Sequence, residues 1–320
     1  MKVLFHENQL SYRGTSVSLF DYAYYNEKLL GNESVIIYNS SNPNTNNDAL
    51  KRFQQHFKVL EYTDISQLEP LIREVSPDVF YAIKSGEEDL INTNFCKVCV
   101  HTVFKVYEPH GDVYAYVSKW LASQMHNGAD YVPHMINIPD VSGSLNEELN
   151  IPKNAKVFGY YGGQDSFDIK FVQKTVKRMA SIDDNCYFIF MGVNDFTIPR
   201  YFWHRKEKYK NIIFLPANPD PIYKVRFINT CDAMLHARKR GETFGIAIGE
   251  FAMRDVPIIT YSKSPERAHI EILGESAYYY HDKKSLMKIL TSTLAISAKV
   301  KYIEFLPEKV MRKFEQVFLK

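Results

Sequence analysis

The sequence predicts an α/β protein made of two parallel-sheet domains. Three observations predict it. Apolar runs of strand length alternate with helical patterns along all 320 residues. That alternation argues for parallel sheets covered on both faces. The length is about twice the ~150 residues of an average domain. A turn-rich stretch without a strong period, IPDVSGSLNEELNIPKNA at 138–155, separates two copies of the rhythm.

In the first half, strands are expected at Lys2–His6, Val35–Asn39, Lys58–Tyr62, Asp78–Ile83, Val98–Phe104, Val113–Ser118 and Tyr131–Ile136, with helices such as Ser16–Leu30 and Ser66–Val75 between them. In the second half, strands are expected at Val157–Tyr161, Tyr187–Gly192, Ile212–Leu215, Ala233–His236, Pro257–Tyr261 and Ala277–Tyr280. Helices fall near Phe167–Ser181, Ile222–Asn229, Phe244–Met253 and Ser285–Ala295. Each half is Rossmann-like. The polar stretch NSSNPNTNND (39–48) reads as a surface loop.

Composition excludes several classes. Hydrophobic residues make up 45% and charged residues 24%, which is ordinary for a globular chain and not for a disordered one. No apolar run reaches the ~18 residues of a spanning helix, and MKVLFHENQL meets charge too early for a signal peptide. Four cysteines in this length form no disulfide framework, so a reduced, cytoplasmic protein is expected. The net charge of +2 hides an uneven distribution: residues 1–150 carry −8 and residues 151–320 carry +10. The acidic half argues against an anionic membrane surface or an anionic acceptor. HRKEKYK (204–210), preceded by Tyr201, Phe202 and Trp203, reads as a solvated surface segment. Neither nucleic acid nor a membrane is an expected partner.

Missing motifs narrow the chemistry. There is no Asp-x-Asp pair, so no metal site of that kind is expected, and no GxGxxG for a dinucleotide. GxxxxGK[ST], HExxH and GxSxG are absent too. FCKVC (95–99) falls in a strand, where positions three apart face opposite sides, so Cys96 and Cys99 could not share a metal.

The segment CDAMLHARKRGETFGIAIGEFAMRDVPIIT (231–260) is the sharpest local feature. It reads as strand, basic loop, helix and strand. Arg238, Lys239 and Arg240 lie in the loop, and the helix opens near Thr243, Phe244 and Gly245. Free N–H groups and the dipole at a helix start suit an anion, and the cations beside it suit a diphosphate. Glu242 and Glu250 flank this place, and ionised carboxylates accept from hydroxyls. A Glu near a helix start is also favoured by the dipole alone.

This segment resembles the E-x7-E signature of retaining, nucleotide-sugar-dependent glycosyltransferases of the GT-B fold, family 4-like. Glu242 and Glu250 bracket TFGIAIG, and D-V-P-I-I-T follows. Thr243 stands where Gly is common, and Asp255 where Gly precedes V-P. Looser similarities run along the chain. RGTSVSLFDYA (13–23), with Gly14, resembles the N-terminal glycine loop. VFGYYGGQDSFDIK (157–170) resembles the phosphate loop of the donor domain, with Gly162, Gly163 and a late Lys170. Gln164 stands where Arg is usual, so Arg238 is the candidate for the missing charge. His101 in VHTVF resembles the strand-end His that meets the donor sugar in some members, with His110 second.

The resemblance implies two Rossmann-like domains facing each other across a cleft. An acceptor-side domain would span 1–145 and be completed by a helix over 303–320, and a donor domain would span 146–302. It implies metal-independent transfer of a hexose-type sugar from a nucleotide-diphosphate donor to a hydroxyl acceptor such as a glycan. No cofactor is implied, because the nucleotide sugar is a co-substrate. Glu242 and His101 would be catalytic. Gly14, Gly162, Gly163, Lys170, Arg238, Thr243, Phe244, Gly245 and Glu250 would bind substrate.

Overall fold

The structure is a computed structural model. It describes residues 1–89, 93–126, 128–198 and 209–320. The chain divides into two compact units, Met1–Asn137 with Glu304–Lys320, and Ile138–Ile303. The division at Asn137/Ile138 falls somewhat before the expected junction at 145/146.

The first unit holds β1 (Lys2–Glu7), α1 (Gly14–Leu30), β2 (Glu33–Asn39), α2 (Asn47–Gln54), β3 (Lys58–Tyr62), α3 (Leu68–Val75), β4 (Val79–Lys84), β5 (Lys97–Thr102), β6 (Val113–Tyr116) and α4 (Lys119–Met125). Its six strands form one sheet in the order β3-β2-β1-β4-β5-β6, and every pairing is parallel. Ligands of such sheets gather at the carboxyl ends of the strands, where the order reverses. In this sheet that point lies between β1 and β4.

Strand periodicity sorts the side chains. Leu4, Phe80, Ala82 and Val98 face one way, into a cluster with Leu68, Ile72 and Val75 of α3. Phe5, Tyr81, Cys99 and His101 face the other way. The residues that return from the end of the chain cover that second face: Phe314 stacks on Tyr22 at 5.2 Å, and Phe318 lies 5.1 Å from His101. Cys96 packs against the first cluster, whereas the Cys99 Sγ–H donates to the Phe318 carbonyl on the opposite face. Burial pushes the Cys99 thiol up to about 12, which suits a structural cysteine.

The second unit holds β7 (Lys156–Tyr161), α5 (Lys170–Ile182), β8 (Cys186–Met191), β9 (Ile212–Leu215), α6 (Pro221–Asn229), β10 (Ala233–Leu235), β11 (Gly241–Glu242), α7 (Ile246–Met253), β12 (Ile258–Tyr261), β13 (Glu266–Arg267), α8 (Ala268–Leu273), β14 (Tyr278–Tyr280), α9 (Lys283–Leu290) and α10 (Lys299–Tyr302). The main sheet is parallel, in the order β14-β12-β10-β7-β8-β9. Short β11 and β13 pair beside it. The last helix, α11 (Pro307–Phe314), and a π-helical turn over Glu315–Leu319 belong to the first unit.

Local chemistry sets several helix ends. Asp220 caps α6 ahead of Pro221, and Asp282 forms a capping box with Ser285 at α9. Gly31 ends α1 at φ 67°, a left-handed cap that glycine takes without strain.

Two expectations differ from the structure. Tyr131–Ile136 forms no strand; only Tyr131 bridges to Tyr116. Val132, Met135 and Ile136 are buried all the same, and Pro133 offers no N–H to a ladder. The stretch 39–48 is not all loop, because Asn46 caps α2 by accepting from the N–H groups of Asp48 and Ala49. Among the described residues no helix is long and apolar enough to cross a membrane. Residues 201–208 of the aromatic and basic cluster lie outside the described residues.

Candidate functional site

In the second unit the carboxyl ends of β7 and β10 carry two loops that are tied together. After β7 the chain turns at Gly162 and Gly163. The Gly162 N–H donates to the Met191 carbonyl (3.2 Å), and the Ser166 hydroxyl donates to the Gly163 carbonyl (2.6 Å). A side chain at Gly162 would meet Ser166 Oγ at 2.5 Å and Tyr160 Oη at 2.8 Å. A Cβ at Gly162 would therefore displace the Ser166 and Tyr160 side chains, while Gly163 faces open space. Further along, the Asp168 N–H donates to the Ala237 carbonyl (3.1 Å), and Asp168 Oδ1 accepts from the Lys239 N–H (2.6 Å). These bonds fix the glycine turn against the loop that bears Arg238. Lys170 opens α5, is exposed, and donates to its neighbour Gln173 at 3.4 Å.

Glu242 sits at the centre of the second loop. Arg238 Nη1 donates to its Oε2 (2.7 Å), and His236 Nε2 lies 3.2 Å from its Oε1. The Glu242 side chain is 18% exposed and that of Arg238 34%. Burial works to raise the Glu242 pKa. The hydrogen bond from His236 and the charge of Arg238 outweigh burial, and the carboxyl is held below its usual range. Arg240 pairs with Glu266 (2.7 Å), and Glu266 N–H donates to the Arg240 carbonyl, which joins β11 to β13.

Thr243 and Phe244 lead into α7, with Phe244 buried. Gly245 is the residue that precedes the helix, at φ 100° and ψ 61°, and no side chain caps it. A left-handed residue at this place favours glycine. The first N–H groups of α7 lack partners within the helix, as at any helix start. Glu250 lies about one turn into α7 and is 3% exposed; Lys224 of α6 donates to its Oε1 at 2.5 Å.

In the second unit Asp168 ties the segment after Gly162 and Gly163 to the loop that bears Arg238 and Glu242, and Thr243, Phe244 and Gly245 lead from that loop into α7, where Glu250 lies. Sequence reasoning missed His236, Thr260, His269 and Lys224. Thr260 Oγ1 lies 2.8 Å from His236 Nδ1. His269 packs 5.0 Å from the His236 ring, and burial pushes it down to about 3, so it is neutral.

In the first unit Gly14 is the first residue of α1, beside the carboxyl end of β1. There the Thr15 hydroxyl donates to Glu7 Oε1 at 2.5 Å. His110 lies 3.0 Å from Lys84 Nζ. The expectation for His101 needs correction. Its ring is fully buried, with Nδ1 2.5 Å from Tyr81 Oη and Nε2 2.8 Å from the Val132 carbonyl. Burial pushes it down to about 3, so it neither meets solvent nor carries charge. His101 is a core histidine with both nitrogens engaged, and we assign it no catalytic role. Among the described residues no three His, Cys, Asp or Glu side chains are grouped to hold a metal ion.

Comparison with solved structures places this architecture. The chain is similar to Anabaena Alr3699/HepE in complex with UDP and glucose, at TM-score 0.70 and 14% identity, over 99% of this chain and 98% of that one. It is similar to a glycosyltransferase from Rickettsia africae at TM-score 0.70 and 14% identity, over 99% and 97%. It is also similar to AviGT4, a glycosyltransferase involved in avilamycin A biosynthesis, at TM-score 0.67 and 13% identity, over 99% and 97%. A putative UDP-N-acetylglucosamine 2-epimerase from Listeria monocytogenes matches less well, at TM-score 0.57 and 11% identity, over 94% and 93%. No protein-family model matches the chain, and no curated protein sequence does. The fold is that of the GT-B glycosyltransferases, two Rossmann-like domains with parallel six-stranded sheets.

Proposed function

We propose that the chain is a retaining glycosyltransferase that moves a hexose-type sugar from a nucleotide diphosphate to a hydroxyl acceptor, as in glycan biosynthesis. The observation that carries this is the Arg238–Glu242 pair beside the start of α7, tied to the glycine turn after β7. The neighbours described with UDP and glucose, and with UDP-glucose, support a nucleotide-sugar donor.

In this reading the second unit binds the donor and the first binds the acceptor. Arg238 and the free N–H groups at the start of α7 receive the diphosphate, and Gly162 and Gly163 let it approach the backbone. Glu250 accepts from the ribose hydroxyls. Glu242 orients the donor sugar. The acceptor oxygen bonds to the anomeric carbon as the bond from that carbon to the phosphate oxygen breaks. The departing nucleoside diphosphate takes the acceptor proton. Arg238 stabilises the charge that develops on it, which is electrostatic catalysis without a metal. We place the enzyme in the cytoplasm, on the composition alone.

A thermal-shift screen of nucleoside diphosphates and sugar nucleotides tests donor binding. A ligand at about 100 times its Kd adds ~2.7 kcal/mol to apparent stability. No shift with any of them would overturn the reading. With the donor so found, Glu242→Ala should abolish turnover in a mixed-acceptor assay. Unchanged turnover would overturn the role given to Glu242, and donor binding with no turnover by the unaltered protein would leave a nucleotide- or glycan-binding module. An epimerase is the second reading, favoured by the weaker epimerase matches. It would convert the donor without an acceptor, which proton NMR of donor and enzyme alone detects.

A further inference from the structure

Glu242 needs a defined orientation to serve a donor sugar, and both of its oxygens are engaged inside the protein. Oε1 lies 3.2 Å from His236 Nε2, while Oε2 takes the Arg238 guanidinium. His236 is 1% exposed and follows the last residue of β10. Its main-chain carbonyl accepts from the Tyr280 hydroxyl (2.9 Å), and its N–H donates to the Ile259 carbonyl (2.8 Å). The backbone that carries the imidazole is thereby held from both sides.

The hydrogen-bond chemistry sets the tautomer. An ionised carboxylate only accepts, so Nε2 must carry the proton that bridges to Oε1. In a neutral ring Nδ1 is then an acceptor, and the Thr260 hydroxyl 2.8 Å away is the donor it needs. Thr260 is fully buried on β12. The titratable and charged groups around Glu242 are His236, His269, Arg238, Tyr160 and Tyr302, with Glu266 beyond Arg238.

We infer that His236 is a positioning residue for Glu242. The carboxylate requires its Nε2–H tautomer and Thr260 serves its Nδ1, so that His236 holds Oε1 and leaves Oε2 as the oxygen that Arg238 releases to a donor hydroxyl when the diphosphate takes Arg238. The inference rests on the function proposed above for its catalytic consequence, but the Thr260–His236–Glu242 arrangement is testable without it.

Two measurements decide it. Long-range 1H–15N spectra of the imidazoles in the full chain should show His236 as the Nε2–H tautomer, and Thr260→Val should move its Nδ1 resonance to that of a nitrogen without a donor while Thr260→Ser restores it. An Nδ1–H ring in the unaltered protein would overturn the inference whether or not transfer is detected. In the transfer assay, His236→Leu should lower kcat about 10- to 100-fold, the worth of a hydrogen bond to a charged group, with donor KM and UDP affinity within twofold. His236→Gln, whose amide N–H reaches the Nε2 position, should recover most of the loss. The inference is overturned if kcat holds in His236→Leu, if UDP affinity falls in step with kcat, or if Gln is as poor as Leu. Should His236→Leu fail to fold, His236→Gln and Thr260→Val give the same comparison, with Thr260→Val expected to lose severalfold in kcat alone. Failure of the proposed function looks different: no transfer by any variant, with the His236 tautomer as stated.

Discussion

Glu7 offers a prediction in which one carboxyl sets a measurable slope of stability with pH. It ends β1, is 4% exposed, and accepts from Thr15 at the start of α1. Its pKa is raised from 4.5 to about 7. Burial is the main cause; the hydroxyls of Ser16 and Thr15 and the charge of Arg13 offset only part of it. The folded protein therefore keeps this proton up to about pH 7, while the unfolded chain loses it near 4.5. Between those values the folded state binds more protons, so stability falls as pH rises, and the loss is complete above the folded value. At about 1.4 kcal/mol per unit, the whole window is worth about 3 kcal/mol. Glu7→Gln keeps the shape and removes the titration. It should match the unaltered protein at pH 4.5 and exceed its stability by up to about 3 kcal/mol at pH 8. Urea unfolding at a series of pH values measures the difference, and other titrating groups cancel between the two proteins. A difference that does not change with pH would refute the reasoning. So would a variant less stable than the unaltered protein at pH 8.

Three further outcomes follow from the packing. Gly192→Ala places a Cβ 2.6 Å from the Gly162 carbonyl at φ 77°; it should cost at least the ~1–2 kcal/mol of a left-handed residue and weaken UDP binding by displacing the glycine turn, as melting and titration calorimetry would show. Lys224→Met removes the cation bonded to buried Glu250 and should cost about 3 kcal/mol; the double variant with Glu250→Gln should lose less than the two single losses combined. Tyr22→Phe leaves the buried Pro133 carbonyl without its 2.8 Å donor and should cost about 1 kcal/mol in urea unfolding.

The sheets were legible in the sequence because strands buried on both faces read as unbroken apolar runs. Val79–Lys84 and Cys186–Met191, buried along their whole length, lie within one residue of the expected Asp78–Ile83 and Tyr187–Gly192. Tyr131–Ile136 failed for a related reason: an apolar run reports burial, and it does not report whether the backbone joins a ladder. The α2 helix was hidden because polar residues dominate its approach, while its hold on the core is Ala49 and Phe53 alone.

The loop around Glu242 was legible because Arg238, Glu242 and Gly245 are set by spacing within one strand-loop-helix unit. Thr260, His269 and Lys224 come from β12, α8 and α6, and no local spacing links them to Glu242 or Glu250. His101 shows the same limit from the other side. A histidine near the end of a strand looks alike in sequence whether solvent or core lies beyond it. Phe318 and Val132, distant in the chain, supply the core here.

The return of residues 304–320 to the first unit bears on the order in which the protein is made. A ribosome releases Met1–Asn137 long before it adds Phe314 and Phe318, the rings that pack on Tyr22, Tyr81 and His101. Until then the face of the nascent first sheet that carries Tyr81 and His101 lacks part of its cover, although Ile138–Ile303 is already made. Chains stalled or clipped before residue 304 should therefore expose part of that apolar face. Such fragments are natural clients for a chaperone that shields apolar faces during synthesis.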